Sequence, residues 1–331
     1  MRVAVIGAGA VGARAARQLH DAAEDLVVVD ADGARAEAVV SALGKPARLV
    51  GDVDDAVTGA SVAVLAVGTG HRALAERALE RGADVVSVAD TLTEVSELLA
   101  LDPEARERGR YVVAGAGFSP GLACVLARHA AADFDRVDEV HVCRSGTGGP
   151  ACARQHHRAL SAGAVEWRDR AWVRRRGGSG RELCWFPDPI GAVDCYRGGL
   201  AEPLLLAPAF DGVQRVSARL AASRGERMLS WLPMLGRAPE EGGPGGLRVE
   251  VRGGQGPARA VRVLGAIDRP SVAAGVVAAV TAVWVVEGRL ARTGVAGLAE
   301  LVEPVPFLAE LARRGVRAAV FEGTAGGVVT G

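Results

Sequence analysis

The sequence predicts an α/β chain: an N-terminal doubly wound parallel sheet, followed by an α+β domain with a mixed open sheet. Three observations carry that expectation. Apolar strand-like runs alternate with helical segments over residues 1–133, a glycine-rich turn joins the first strand to the first helix, and beyond residue 133 the alternation gives way to looser strands and a hairpin. The 331 residues exceed one ordinary core, so the expected units are 1–133 and 134–331.

The elements follow in order. Arg2 to Ile6 reads as a strand, then a turn, then a helix to His20. Asp25 to Val29 is an unbroken apolar strand ending at Asp30, and a helix spans Ala34 to Leu43. Ala47 to Val50, Ser61 to Val67, Asp84 to Val88 and Tyr111 to Ala114 are further strands, with helices over His71 to Arg81 and Leu122 to Ala132. Strands covered on both faces read as continuous apolar runs, and several of these do. In the second half Val137 to Arg144 alternates as a strand and Ala151 to Ala162 is helical. Arg168 to Trp185 is strand-like around an arginine and glycine turn, and Gly246 to Arg252 with Arg259 to Leu264 forms a hairpin. Asp268 to Gly288 is a long apolar helix with Asp268 as N-cap, and the sequence leaves open which half it packs on. Phe307 to Arg314 is a short amphipathic helix and Arg317 to Phe321 a last strand.

Composition excludes several classes. Lys plus Arg and Asp plus Glu are each 39, so the chain lacks the field that attracts nucleic acid or anionic membrane. Lys45 is the only lysine, which removes lysine-based covalent chemistry from every other position. Five cysteines without a Cys-x-x-Cys do not read as a secreted disulfide scaffold. The N-terminus is already a strand, and the charge-free apolar run between Arg269 and Glu287 is shorter than the ~20 residues of a bilayer span. The expectation is a cytoplasmic protein with neither a membrane nor a nucleic acid as partner.

Gly7-Ala8-Gly9-Ala10-Val11-Gly12 is a G-x-G-x-x-G between a strand and a helix, with Asp30 closing the next strand. That context makes it a Rossmann dinucleotide fingerprint. Gly7 permits the tight turn, Gly9 lets the backbone approach a pyrophosphate, and Gly12 lets helix and strand pack closely. Asp30 accepts from ribose hydroxyls and repels a 2′-phosphate, which favours NAD; Arg35 leaves NADP as the alternative. Gly68-Thr69-Gly70 and Asp90 follow later strands and are expected at the nicotinamide half, although Asp90 equally suits a helix cap before Thr91.

Gly115-Ala116-Gly117-Phe118-Ser119-Pro120-Gly121-Leu122 follows the sixth strand. With the N-terminal turn it resembles the saccharopine dehydrogenase-like family, which includes saccharopine reductases, carboxynorspermidine dehydrogenases and lysine ε-dehydrogenases. The resemblance covers residues 1–133 by motif and 134–290 by architecture. It implies a G-x-x-P-G loop beside the nicotinamide, placing Phe118 at the cofactor, with Ser119 as N-cap and Pro120 at the first helical position. It also implies reversible hydride transfer at a C–N bond, through an imine, on an amino-acid-like substrate. A family member with a working lysine finds no counterpart here beyond Lys45.

Further candidates lie in the second half. Gly148 and Gly149 precede a helix whose N-terminus suits a carboxylate, or serve as an ordinary connection. Helical spacing puts Cys152 and His156 on one face and His157 at its edge; both histidines are candidate proton carriers, the alternative for His156 being a core histidine. The Cys152–His156 pair also admits a cysteine nucleophile, as in a semialdehyde dehydrogenase, or half a metal site completed by Cys143 or Cys184, against plain core cysteines. Trp185, Tyr196 and Arg197 sit in an aromatic-rich stretch. Trp185 would line a pocket, Tyr196 donate a proton and Arg197 clamp a carboxylate, against core packing and a surface ion pair. The sequence expectation is thus a nicotinamide-dependent homodimeric oxidoreductase without a metal, the alternative being a nucleotide-binding module without turnover.

Overall fold

The computed structural model describes residues 1–234, 236 and 238–321; of the expected second unit, residues 322–331 lie outside the described residues. The first part runs β1 (Arg2–Ile6), α1 (Ala10–Leu19), β2 (Asp25–Val29), α2 (Gly33–Leu43), β3 (Ala47–Leu49), α3 (Val53–Val57), β4 (Val62–Leu65), α4 (His71–Glu80), β5 (Asp84–Ser87), α5 (Leu92–Leu99), α6 (Asp102–Glu107), β6 (Tyr111–Val113) and α7 (Leu122–Ala131). It continues with β7 (Arg136–Ser145), α8 (Pro150–Ser161), β8 (Ala164–Arg168), β9 (Ala171–Arg175), β10 (Glu182–Trp185), β11 (Ala192–Tyr196), α9 (Glu202–Leu206), β12 (Arg215–Ala221) and α10 (Arg224–Leu229). The last stretch holds β13 (Gly245–Gln255), β14 (Ala258–Asp268), α11 (Pro270–Val286), β15 (Gly294–Ala296), α12 (Leu298–Leu301), α13 (Pro304–Arg313) and β16 (Ala318–Phe321).

Seven strands form one sheet in the order β15-β6-β5-β4-β1-β2-β3, every neighbouring pair parallel. The order reverses between β1 and β4, so the carboxyl ends of these two strands open a crevice where ligands bind in doubly wound folds. The second sheet has nine strands along β10-β11-β12-β7-β13-β14-β16, with β8 and β9 off that path. In it β7 and β12 run parallel and the other pairs antiparallel. The α/β class and the mixed second sheet are as the sequence predicts.

The chain then returns to the first sheet. Helix α11 is apolar all round and buried along nearly its whole length, as a helix without a solvent face must be. It lies against α1, β4 and β5, which answers the question that the sequence left open. The approach to α1 is close enough that a Cβ on Gly275 would stand 2.5 Å from the Arg14 Cβ and 2.9 Å from the Ala15 nitrogen. The helix begins at Pro270 after Arg269 rather than at an Asp268 cap, because Asp268 closes β14 and accepts from the Arg269 amide at 2.7 Å. Beyond it β15 adds the seventh parallel strand beside β6. Trp284 fixes α13 to α11: its indole donates to Glu310 at 2.9 Å and its ring meets Phe307 edge-on at 4.9 Å.

Two sequence expectations resolve differently. The Arg168–Trp185 run divides into β8, β9 and β10, broken at Asp169 and Arg170, whose φ of 52° and 64° turn the chain. Helix α7 is capped by Gly121 rather than Ser119, because the chain turns at Gly121 with φ 112° before the helix begins.

Gly275→Val is expected to force α11 away from α1 and to destabilise the protein by about 1–3 kcal/mol, as overpacking does. Urea unfolding checks this, and a midpoint equal to that of the parent would contradict the packing described.

Candidate functional site

The crevice between β1 and β4 deepens into a cleft of about 680 Å³ walled by both halves of the chain. The turns after β1, β4, β5 and β6 form one side, through Ala8–Val11, Gly68, Asp90 and Phe118. The end of β7 and the first turns of α8 form the other, through Arg144, Gly148, Gly149, Cys152 and His156.

The glycine turn divides its work. Gly7 has φ 102° and a Cβ there would strike the Ala66 carbonyl; a Cβ on Gly12 would strike the Gly7 carbonyl. These two glycines serve packing. A Cβ on Gly9 would meet nothing within 4 Å, and Gly9 opens on the cleft. Helix α1 starts at Gly9 and α8 at Gly149, neither with a side-chain cap. The two starts converge, since a Cβ on Gly149 would stand 3.3 Å from that of Ala10. Two positive helix ends without a side-chain cap therefore face one cleft, a seat suited to a pyrophosphate.

Asp30 braces this turn. Its carboxylate accepts from the Ala8 amide at 2.6 Å and the Asp32 amide at 2.8 Å. Arg35, which a 2′-phosphate would need, is paired with Asp32 at 3.0 Å. Asp30 therefore shapes the turn, and Arg35, itself on the cleft wall, is engaged by a carboxylate, which disfavours a 2′-phosphate and suits NAD.

Thr69 and Gly70 stand apart from the cleft, because the start of α4 is already occupied: Glu94 accepts from the Gly70 and His71 amides, each at 3.0 Å. His71 is buried, bonded to the Val67 carbonyl at 3.1 Å and to the Ser87 hydroxyl at 2.8 Å, and so holds the turn that carries Gly68. A carbonyl only accepts, so the proton sits on the His71 Nε2 and Nδ1 accepts from Ser87. Burial pushes its pKa below the ordinary value, in keeping with a neutral ring.

The opposite wall centres on Arg144, which is 7% exposed. Its Nη1 donates to Asp90 at 3.0 Å and to the Ser119 carbonyl at 2.5 Å, while its Nε has no partner. Burial alone would lower its pKa, but Asp90 and Glu202 more than offset that and keep it charged. Asp90 is thus an ion-pair partner and not a helix cap; Thr91 caps α5 by accepting from the Glu94 amide at 3.3 Å. Glu202 is fully buried and accepts from the Ser119 hydroxyl at 2.6 Å, which ties the Phe118–Ser119 loop to α9.

His156 lies in this wall, with Nε2 donating to the Ala221 carbonyl at 2.9 Å. Burial and then the Arg144 charge bring its pKa to about 4, so near neutral pH the ring is uncharged and accepts through Nδ1. Burial raises the Cys152 thiol, and Asp90 adds to the effect. A cysteine nucleophile needs the opposite shift.

Four other expected residues lie outside the cleft. His157 Nε2 bonds the Leu232 carbonyl at 2.8 Å. Tyr196 is buried among Leu160, Leu200 and Leu220, its hydroxyl without a partner. Arg197 is held by Glu166 at 2.5 Å. Trp185 is 62% exposed on β10. Cys143 and Cys184 meet each other and Cys195, not Cys152. Sequence reasoning passed over Arg144 and His71. Arg144 lies at the end of β7 and faces inward towards Asp90 and Ser119 of the other half, whereas His71 opens α4 and bonds Val67 and Ser87 of its own half. The one available signal for Arg144 was a charged residue in the last turn of a strand before glycines.

Comparison with known proteins agrees with this geometry. Residues 1–116 match the GFO/IDH/MocA family model, described as an oxidoreductase family with an NAD-binding Rossmann fold. A comparison with curated proteins gives no match. Among solved structures the chain is similar to saccharopine dehydrogenase (L-Glu forming) from Saccharomyces cerevisiae, with a TM-score of 0.69 at 14% identity over 96% of this chain and 99% of that one. It is also similar to an amine dehydrogenase from Mycobacterium smegmatis, with a TM-score of 0.55 at 12% identity over 91% and 96%. A probable dehydrogenase from Thermotoga maritima gives 0.50 at 12% identity over 97% and 98%. At these identities the likeness is one of fold, and it extends through both halves of the chain.

Gly9→Val is expected to leave thermal stability within about 0.5 kcal/mol while weakening NADH binding at least ~10-fold, whereas Gly12→Ala lowers stability. Fluorescence titration and thermal unfolding of the pair would contradict the assignment if both variants behaved alike. His156 supplies a pH test. Its folded pKa of about 4 lies below the ordinary 6.5, so the stability it carries is whole above pH 6.5 and lost as pH falls towards 4. The full loss is about 3 kcal/mol. His156→Gln should flatten that acid limb in urea titrations at stepped pH.

Proposed function

We propose that the chain is an NAD(H)-dependent oxidoreductase acting at the C–N bond of an amino-acid, imine or opine-like substrate. The observation that carries the reading is the buried Arg144–Asp90 pair lining the cleft beside the nicotinamide side of the glycine turn. A fixed guanidinium there offers charge and a donor to a substrate carboxylate. The Asp90 carboxylate next to it accepts N–H from an amine or iminium and stabilises its positive charge. An amino acid carries both groups on neighbouring atoms.

NAD, when bound, supplies or accepts the hydride. The chain's own residues hold the reactants. Neutral His156 and the protonated Cys152 thiol add an acceptor and a weak donor on the same wall. The elevated thiol argues against a cysteine-dependent semialdehyde dehydrogenase. The number of polar groups on this wall weighs against a binding module without turnover. In this reading residues 1–133 hold the nucleotide and residues 134–331 close on the substrate. The protein works in the cytoplasm on a small molecule, with neither nucleic acid nor membrane as partner. It acts as a homodimer, to which the exposed Trp172, Leu183 and Trp185 of the second sheet lend an apolar face.

Among the described residues no helix is long and apolar enough to cross a membrane. The test is NADH oxidation with 2-oxo acids plus amines, and NAD reduction with amino acids and N-carboxyalkyl amino acids. Arg144→Gln and Arg144→Lys should each lower kcat/KM for the carboxylate substrate by about 10–100-fold and leave NADH affinity intact. Turnover confined to substrates without a carboxylate, or insensitive to both variants, would sink the reading.

A further inference from the structure

Away from the cleft, three cysteines from separate strands converge. Cys143 lies on β7, Cys184 on β10 and Cys195 on β11, and all are buried. Their sulfurs lie within 4.8 Å of one another, with 3.2 Å between Cys143 and Cys184. Strands β11 and β12 separate β10 from β7 along the sheet, so a flat sheet would keep these residues far apart. The β10–β11 hairpin instead folds over the sheet face. Gly246 on β13 lacks a side chain where Ile190 and Phe186 press down on it, and a Cβ there would stand 2.9 Å and 3.1 Å from them. Phe186, Ile190, Val193 and Ala221 complete an apolar shell round the thiols.

An apolar corner needs only small hydrophobes; it does not need three thiols aimed at one point. Three sulfurs on a single ion, each bonded at ~2.3 Å, stand ~3.8–4.0 Å apart. The spacing here brackets that value and leaves room for one ion rather than a cluster. Among the described residues no histidine or carboxylate joins the set, so the four ligands of a structural zinc site are not assembled. All-sulfur ligation with three donors selects a soft, thiophilic metal. Arg219 and Arg248 flank Cys143 in register on the adjacent strands.

We propose that Cys143, Cys184 and Cys195 form a three-thiolate site for copper(I), separate from the nucleotide cleft, that clips the β10–β11 hairpin to β7. Binding exchanges three thiol protons, released to solvent, for one cation; no electron is transferred. Arg219 and Arg248, each also paired with a glutamate, stand beside the site.

The test uses the reduced full-length protein titrated anaerobically with copper(I) against a chromogenic chelator. One equivalent per chain is expected, with a rise in melting temperature and an X-ray absorption spectrum of three sulfur neighbours and no nitrogen or oxygen. Cys184→Ser and Cys195→Ser should each weaken binding at least ~100-fold, while Cys124→Ala leaves it unchanged. Thermal unfolding of the metal-free variants shows whether they remain folded, and if they do not, the coordination spectrum of the parent protein decides. Binding well below one equivalent, retention by the Cys184→Ser/Cys195→Ser double variant, or zinc displacing copper(I) would overturn the proposal.

Discussion

A guanidinium buried at the meeting of two sheets cannot be left without a counter-charge. Arg144 ends β7 of the second sheet, yet its hydrogen-bond partners, Asp90 and the Ser119 carbonyl, belong to loops at the carboxyl ends of the first. Losing either partner would leave an ion stranded in a poorly solvated place. The pair therefore fixes where the second half docks, and the cleft is the space left around that contact. The Glu202–Ser119 bond and the Gln155 amide on the Gly68 carbonyl, at 2.5 Å, hold the same boundary at two more points.

On this boundary the two halves contribute different things. The first sheet supplies backbone: amides of a glycine turn, a helix end, and the bracing carboxylate of Asp30. The second supplies the start of α8 and three side chains: a cation, a neutral imidazole and a thiol. Backbone donors suit a phosphate chain common to many nucleotides, whereas side chains can distinguish one small substrate from another. Residues 1–116 match a family model, while the likeness of fold runs the length of the chain.

The first sheet was legible because its signals are local. A strand, a glycine turn, a helix and a closing acid occupy residues 2–30, and each follows from backbone sterics over a few positions. The glycine turn from Gly7 to Gly12 and the acid that braces it, Asp30, are legible for that reason. On the wall opposite, Gly148, Gly149, Cys152 and His156 are candidates in the sequence, but Arg144 is not, because its contact with Asp90 spans 54 residues. Arg197 illustrates the converse: its sequence neighbourhood resembles a carboxylate clamp, but Glu166, contributed by β8, already occupies it. The three-residue strand β15 is too short for any periodicity to show.

That last strand has a consequence for how the molecule comes into being. The nucleotide-binding half is not a continuous stretch of chain: its seventh strand and the apolar helix behind α1 are encoded after every strand of the second sheet except β16. As the chain emerges from the ribosome, residues 1–133 carry an open sheet edge at β6 and an uncovered face on α1 until some 150 residues more have been made. Such interrupted architectures fold late and expose strand edges while they wait. The second sheet, short of its last strand β16, is synthesised in that interval, and only then do α11 and β15 become available to complete the first.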